Sequence, residues 1–179
     1  MNLEKFDLGR NPPDDINVVI EISMNSDPIK YELDKASGMF VVDRFIATNM
    51  RYPCNYGLLP KTLSGDGDPL DVLVITNFPV MVGAVINVRP VGVLVTEDEK
   101  GQDEKILAVP SSGVDQTFAK IVSYQDLPTV TVSQIEHFFT HYKALESGKW
   151  VKIKCWEGMD TAKKIILESI VRFHDNNKK

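Results

Sequence analysis

Short runs of alternating apolar and polar residues, each closed by a turn, occupy the first two thirds of the chain and exclude an all-helical fold. Val18, Ile20 and Ile22 recur at every second position from Asn17 to Ile22, the period of a strand with one covered face. Asn25-Ser26-Asp27-Pro28 is a turn, and Ile29 to Leu33 resumes the alternation. Tyr31 and Leu33 face one way there and Lys30 and Glu32 the other, so a base and an acid project side by side from one sheet face. Further strands are expected at Phe40-Val41-Val42, Val72 to Ile75, Ala84 to Val95 with a bend at Arg89-Pro90-Val91-Gly92, and Lys105 to Val109. The last third turns helical. Val132, Ile135, Phe138, Phe139, Tyr142 and Leu145 follow three-and-four spacing, with Gly148 as the stop. Trp150 to Trp156 alternates as one more strand, and Asp160 is placed to cap a final helix carrying Ala162, Ile165, Ile166, Ser169, Ile170 and Phe173. Many short strands followed by a few helices predict a mainly β fold with flanking helices (α+β), either a small barrel or a sandwich.

Composition narrows the function. At 179 residues, with no internal repeat, low-complexity tract or linker, the chain is expected to form a single domain over residues 1–179. Lys and Arg number 20 against 25 Asp and Glu, for a net charge of −5. Proteins that grip nucleic-acid phosphates carry the opposite surplus, so no nucleic-acid partner is expected. The opening Met1-Asn2-Leu3-Glu4-Lys5-Phe6-Asp7 has no apolar core of a signal peptide. The most apolar stretch, Pro79 to Val95, is broken by Gly83, Asn87, Arg89, Pro90 and Gly92 and cannot span a bilayer as a helix. Cys54 and Cys155 form no CxxC and read as reduced thiols of a cytoplasmic protein.

The sharpest chemical feature is Ser64-Gly65-Asp66-Gly67-Asp68-Pro69-Leu70-Asp71-Val72. Three carboxylates spaced by glycine and proline can converge on one point, and carboxylates without His or Cys suit hard cations such as Mg²⁺. A plain polar turn has the same composition. An EF-hand is excluded because Leu70 and Asp71 stand where that loop needs Asp or Asn and then Gly. Gly65-x-Gly67 continues to Leu70 where a dinucleotide loop wants a third glycine. A second acidic group, Glu97-Asp98-Glu99-Lys100-Gly101-Gln102-Asp103-Glu104-Lys105, reads as a hairpin turn with Asp103 and Lys105 on one face of the outgoing strand. Arg44 and the aromatics of Tyr52-Pro53-Cys54-Asn55-Tyr56-Gly57 are bland taken singly, and Tyr142 belongs to the apolar stripe of its helix. His137 and His141 have the spacing of a helical zinc pair, but Phe138 stands where the H-E-x-x-H signature has Glu. Packing or subunit contact is the better reading of both.

Together these segments resemble one family, the soluble family I inorganic pyrophosphatases of the short bacterial type. The signature Asp-x-Asp-Pro-x-Asp-hydrophobic is matched by Asp66 to Val72. The likeness runs from about Val18 to Trp156 and includes Val19-Ile20-Glu21-Ile22, Asp27 to Glu32, Asp43-Arg44, Tyr52-Pro53-x-Asn55-Tyr56-Gly57 and His141-Tyr142-Lys143. The resemblance implies an OB-like, five-stranded closed β-barrel with two longer helices in the C-terminal half. It implies a homohexamer and Mg²⁺-dependent hydrolysis of pyrophosphate to two orthophosphates, which removes pyrophosphate and pulls biosynthetic reactions forward. Helix Val132 to Leu145 has apolar and histidine positions on more than one side, which leaves surface for subunit contact and places His137 and His141 there as an expectation. Several Mg²⁺ ions per site are implied, with Mn²⁺ or Zn²⁺ as substitutes. By resemblance Asp66, Asp71, Asp98, Asp103, Glu32 and Glu21 would bind the metals, and Asp68 would take a proton from the attacking, metal-activated water. Lys30, Arg44, Tyr56, Lys105, Tyr142 and Lys143 would hold the phosphates, Arg44, Tyr56 and Lys105 closest to the chemistry, with Tyr52 shaping the pocket.

The chemistry of such a reaction is consistent with those residue types. Pyrophosphate carries several negative charges, so an acidic site can hold it only with cations in between, and bound cations also acidify water. Arg44 offers a planar fork to phosphate oxygens, while lysines and tyrosine hydroxyls are point donors. Two alternatives are a metal-dependent nucleoside-triphosphate hydrolase and a non-catalytic OB-like binding module. Against the first, the chain has no Gly-x4-Gly-Lys-[Ser/Thr] loop. Against nucleic-acid binding stand the charge of −5 and an aromatic content of 8%.

Overall fold

The alternating segment at Asn17 to Ile22 is the first strand of a closed barrel. The computed structural model describes residues 6–99 and 101–176. Its strands are β1 (Ile16–Ile22), β2 (Ile29–Leu33), β3 (Phe40–Phe45), β4 (Asn55–Leu59), β5 (Leu70–Val74), β6 (Val85–Asp98), β7 (Gly101–Pro110) and β8 (Val151–Gly158). Two helices, α1 (Thr129–His141) and α2 (Met159–Asn176), flank β8 in the chain, after short 3₁₀ turns at Gln116–Phe118 and Tyr124–Asp126. Strands pair in the order β1-β4-β5-β7-β6, and β6 returns to β1, which closes a ring of five. The β1–β6 seam runs from Ile16 opposite Val88 to Val19 opposite Val85. Within the ring only β5 and β7 are parallel. The five-stranded closed barrel with two C-terminal-half helices that the family resemblance implies is therefore present.

β6 makes the ring possible because it serves three neighbours. Its first residues pair with β1, Val88 to Asp98 with β7 and its second half with β8. A 14-residue strand can do this only if it bends. The register shifts between Pro90 and Gly92, where proline lacks a ladder donor. At Gly92 any Cβ would stand 3.0 Å from both the Glu157 carbonyl and the Tyr124 ring, so glycine is what lets β8 and the loop close in.

The strands are covered on both faces, which is why they are rich in Val, Ile and Leu. Val18 and Ile20, Val72 and Val74, Ile106 and Ala108, with Ile86, Val88 and Val93, form one cluster with Ala162 and Ile166 of α2. The opposite parity, Leu73, Leu94, Leu107 and Val109, packs with Ile135, Phe138 and Phe139 of α1. Leu33 and Phe40 of the separate β2–β3 hairpin lie on Val19 and Leu58. Fully burying side chains of this size contributes about 1.5–3 kcal/mol each.

Sequence and structure differ locally. β4 is a strand that periodicity does not reveal, because all five of its residues are buried and nothing alternates. Its Gly57 is demanded by packing, since a Cβ there would lie 2.1 Å from the Val19 carbonyl oxygen. Helix α1 starts three residues before Val132 and ends at His141. Leu145, assigned by spacing to its stripe, is 70% exposed on the turn that follows. Gly148 takes a left-handed φ of 75° but lies seven residues past His141, so it turns the loop and does not stop the helix, whose C-cap is Tyr142. Asp160 lies in the first turn of α2, which already begins at Met159.

Candidate active site

The Asp66–Asp71 loop is shaped by its own backbone. The Ser64 amide donates to the Asp68 carbonyl at 2.7 Å, and the Asp68 amide donates to Oδ1 of Asp66 at 3.0 Å. Gly67 sits at φ 89°, a conformation that L side chains rarely adopt. Beneath the loop, the buried Thr62 hydroxyl donates to the Leu59 carbonyl at 2.6 Å and accepts from the Leu70 amide at 3.0 Å. Asp66 and Asp68 are left exposed at the lip, with Asp68 3.0 Å from the Lys35 ammonium. Asp71, the second residue of β5, reaches the cleft from the strand.

The parallel register of β5 and β7 sets Asp71 opposite Lys105. Asp103, two residues earlier on β7, shares the Lys105 face as the strand period requires. The Lys105 ammonium lies 2.8 Å from Asp71 and 3.0 Å from both oxygens of Asp103, with 4% of its side chain exposed. It also stands 5.7 Å from the Tyr56 ring centroid and 5.3 Å from that of Phe139. Burial alone would lower its pKa, but Asp103 and Asp71 outweigh burial and hold it well above the usual lysine value. Desolvation raises Asp71 despite Lys105, and it raises the buried Tyr56 and Tyr52 hydroxyls well above the ordinary tyrosine range.

The β2–β3 hairpin supplies the facing wall. Its register puts Lys30 opposite Arg44. Lys30 pairs with Glu32 and, at 3.2 Å, with Asp43. Arg44 pairs with Asp43 at 2.5 Å and with Glu146 at 3.1 Å. The turn after α1 brings in Tyr142 and Lys143, whose ammonium is 2.9 Å from Asp98 and 3.4 Å from Glu99 at the β6–β7 hairpin. Glu21 lies deepest. It accepts the Leu33 amide at 2.9 Å, and desolvation pushes its pKa up to about 7.

These side chains line one cleft of about 390 Å³. Glu21, Lys30, Glu32, Arg44, Tyr56, Asp66, Asp68, Asp71, Asp98, Asp103, Lys105, Tyr142 and Lys143 all reach it. Tyr52 does not. It is 2% exposed and packs beneath, with ring centroids 5.2 Å from Tyr56 and 6.4 Å from Tyr142. Sequence reasoning passed over Lys35, Asp43, Glu99, Gln102, Glu104 and Lys149, which also line the cleft. Asp43 was readable as the neighbour of Arg44, and Glu99 and Glu104 as members of the acidic hairpin. Nothing local marks Lys35 or Lys149.

Ten carboxyl groups and six cationic side chains line the cleft. Each of the six is already paired with a carboxylate. The surplus acids are oxygen donors of the kind Mg²⁺ takes. Among the described residues, no three His, Cys, Asp or Glu side chains yet stand close enough to hold an ion by themselves. The donor set fits hard cations, and the interleaved Lys and Arg groups fit an anion that arrives with them.

A closed five-stranded barrel with a cleft of interleaved acids and bases defines a class, barrels whose site takes charged ligands, metal cations and anions, rather than apolar ones. The inorganic pyrophosphatase family profile matches residues 18–174. An inorganic pyrophosphatase of Bradyrhizobium diazoefficiens is 58% identical over 96% of this chain and 97% of its own. That of Agrobacterium fabrum is 54% identical over 97% and 98%. The crystal structure of the Thermus thermophilus enzyme superposes with a TM-score of 0.92 at 39% identity, covering 97% of this chain and 99% of that one. The chain belongs to the inorganic pyrophosphatase family, in its bacterial form, and is thereby an inorganic diphosphatase. No helix among the described residues is long and apolar enough to cross a membrane.

Proposed function

We propose that the chain, as one domain over residues 1–179, hydrolyses pyrophosphate to two orthophosphates with Mg²⁺, and that it does so in the cytoplasm. One observation carries this reading, the cleft in which an excess of carboxylates is interleaved with paired cations. Asp66, Asp71, Asp98, Asp103, Glu32 and Glu21 would hold Mg²⁺, or Mn²⁺ or Zn²⁺ in its place. When bound, the metal neutralises substrate charge and acidifies water. Asp68, open at the lip, accepts a proton from the attacking water. A P–O bond forms to that water oxygen, the bridging P–O bond breaks, and one orthophosphate leaves with the electron pair. Arg44, Tyr56 and Lys105 donate hydrogen bonds to oxygens whose charge grows in this step. Lys30, Tyr142 and Lys143 orient the rest of the anion, and Tyr52 buttresses the two tyrosines from below. The assembly is a homohexamer, with the exposed His137 and His141 of α1 at a contact between subunits.

Orthophosphate release from pyrophosphate tests the reading, run beside metal-free, ATP and Asp68→Asn controls. Release that needs Mg²⁺, little from ATP, and a fall of about 10²-fold or more in the folded variant are expected. Near-normal turnover by Asp68→Asn would remove Asp68 from its role, and no release with any metal would remove the activity.

A further inference from the structure

Glu146 is not among the side chains lining the cleft, yet it touches one of the groups placed against substrate. Its carboxylate receives the Arg44 Nε–H, with Oε1 at 3.2 Å and Oε2 at 3.1 Å. It is mostly buried, at 12% side-chain exposure against 22% for Arg44. A second cation, Lys149, stands 2.9 Å from Oε2. Burial works against its ionisation, but Lys149 and Arg44 prevail and keep its carboxyl below the usual glutamate range. The contact spans 102 positions and joins two otherwise separate parts of the cleft wall. Arg44 is on β3. Glu146 is on the turn that begins with Tyr142 and Lys143, and its own amide donates to the Lys143 carbonyl at 2.9 Å.

A guanidinium has five N–H donors in a fixed plane. Glu146 takes the one on Nε, and Asp43 takes one on Nη1 at 2.5 Å. Two of the five donors are thereby held, one on Nε and one on Nη1, which restrains rotation of the plane. Three remain for a tetrahedral oxyanion, one on Nη1 and two on Nη2. The same carboxylate sets the spacing between Arg44 and the Tyr142–Lys143 turn, which hold phosphate oxygens in the reading above.

We propose that Glu146 is a positioning residue for pyrophosphate, which clamps Arg44 through Nε and ties it to the Tyr142–Lys143 turn, so that Arg44 presents its remaining N–H donors to the substrate. The inference rests on the pyrophosphatase reading. Glu146 touches no reacting atom, so its loss weakens capture of the anion more than it slows the step that follows.

The test is steady-state hydrolysis of magnesium pyrophosphate by wild type, Glu146→Gln, Arg44→Lys and the double variant, with melting temperatures recorded. Glu146→Gln, nearly isosteric, is expected to raise KM about tenfold, as loss of a charge-assisted hydrogen bond does, with kcat changed by less than about threefold. On the Arg44→Lys background, which has no Nε edge, the same substitution should add little. Coupled residues are non-additive in this way. Should Glu146→Gln fold poorly, Glu146→Asp keeps the charge beside Lys149 but withdraws it from Nε, and it should show the same KM rise in smaller measure. An unchanged KM in both variants overturns the inference, and so does a Glu146→Gln effect that multiplies undiminished with Arg44→Lys. Absence of hydrolysis by wild type would instead overturn the pyrophosphatase reading itself.

Discussion

Replacing Lys105 with Met tests the electrostatic centre of the cleft, because Met keeps most of the aliphatic stem and removes only the ammonium. The structure sets the magnitude. Three contacts of 2.8–3.0 Å are lost to Asp71 and Asp103, and two carboxylates are left facing one another with no cation between. Breaking a buried ion pair from one side costs about 3–5 kcal/mol. Here 24% of each acid's side chain remains open to water, which recovers part of that, so about 2–3 kcal/mol is expected. For a chain of 179 residues, at about 2–4 °C per kcal/mol, the melting temperature should fall by about 4–12 °C. The assay is thermal unfolding in a chelator, with protomer concentration held fixed because an assembly makes Tm concentration-dependent. A second arm adds millimolar Mg²⁺. The paired acids now lack their internal cation, so Mg²⁺ should raise the variant's Tm by more than it raises that of wild type. An unchanged or higher Tm in chelator would show that the ammonium contributes nothing net. A smaller Mg²⁺ response than wild type would show that Asp71 and Asp103 are not where the metal goes.

Two further outcomes are open to measurement. Glu21 has its pKa raised from 4.5 to about 7 in the folded chain, so between those values the native state binds the extra proton. Its contribution to stability is therefore fully present below about pH 4.5 and falls away as pH rises through 7, by about 3 kcal/mol at most. In chelator, Glu21→Gln should melt above wild type at pH 8 and lose that advantage toward pH 4.5, and a gap that does not change with pH would refute the assignment. Exposed His137 and His141, with ring centroids 4.4 Å apart, should repel one another and lose solvation in a closed contact once protonated. Light scattering should then show a hexamer mass at neutral pH and smaller species on mild acidification. An unchanged mass counts against the contact.

The parts of the fold legible from sequence are those with a period. β1 and β2 alternate because one of their faces differs from the other, and α2 carries its apolar residues at helical spacing. The closure of the barrel is not legible in this way. It depends on β6 meeting β1, β7 and β8 in turn, and on β4, whose uniform burial erases the alternation that marks a strand. Only the Pro90–Gly92 bend was visible locally, through residues that disturb a ladder. The closed ring was expected from resemblance, and the registers explain it.

The cleft divides along the same line. Asp103 and Lys105, like Lys30 and Glu32, share a face by the strand period alone, so their pairing follows from sequence spacing of two. The pairing of Asp71 with Lys105 needs the parallel β5–β7 register, and that of Arg44 with Glu146 needs the turn after α1 to fold back on β3. Residues brought together by such returns carry no local signature, and Lys35, Lys149 and Glu146 went unnoticed for that reason. This has a consequence for charge. The acids concentrated in two short segments are visible as a surplus, while the cations that balance them come from β2, β3, β7 and the turns. An acidic chain thus holds its bases where an anion needs them, each tethered to a carboxylate. In the proposed reading cation and anion binding in the cleft are then coupled, since a metal ion that draws on Glu32, Asp71, Asp98 or Asp103 releases Lys30, Lys105 or Lys143 for phosphate, while Arg44 stays clamped by Glu146.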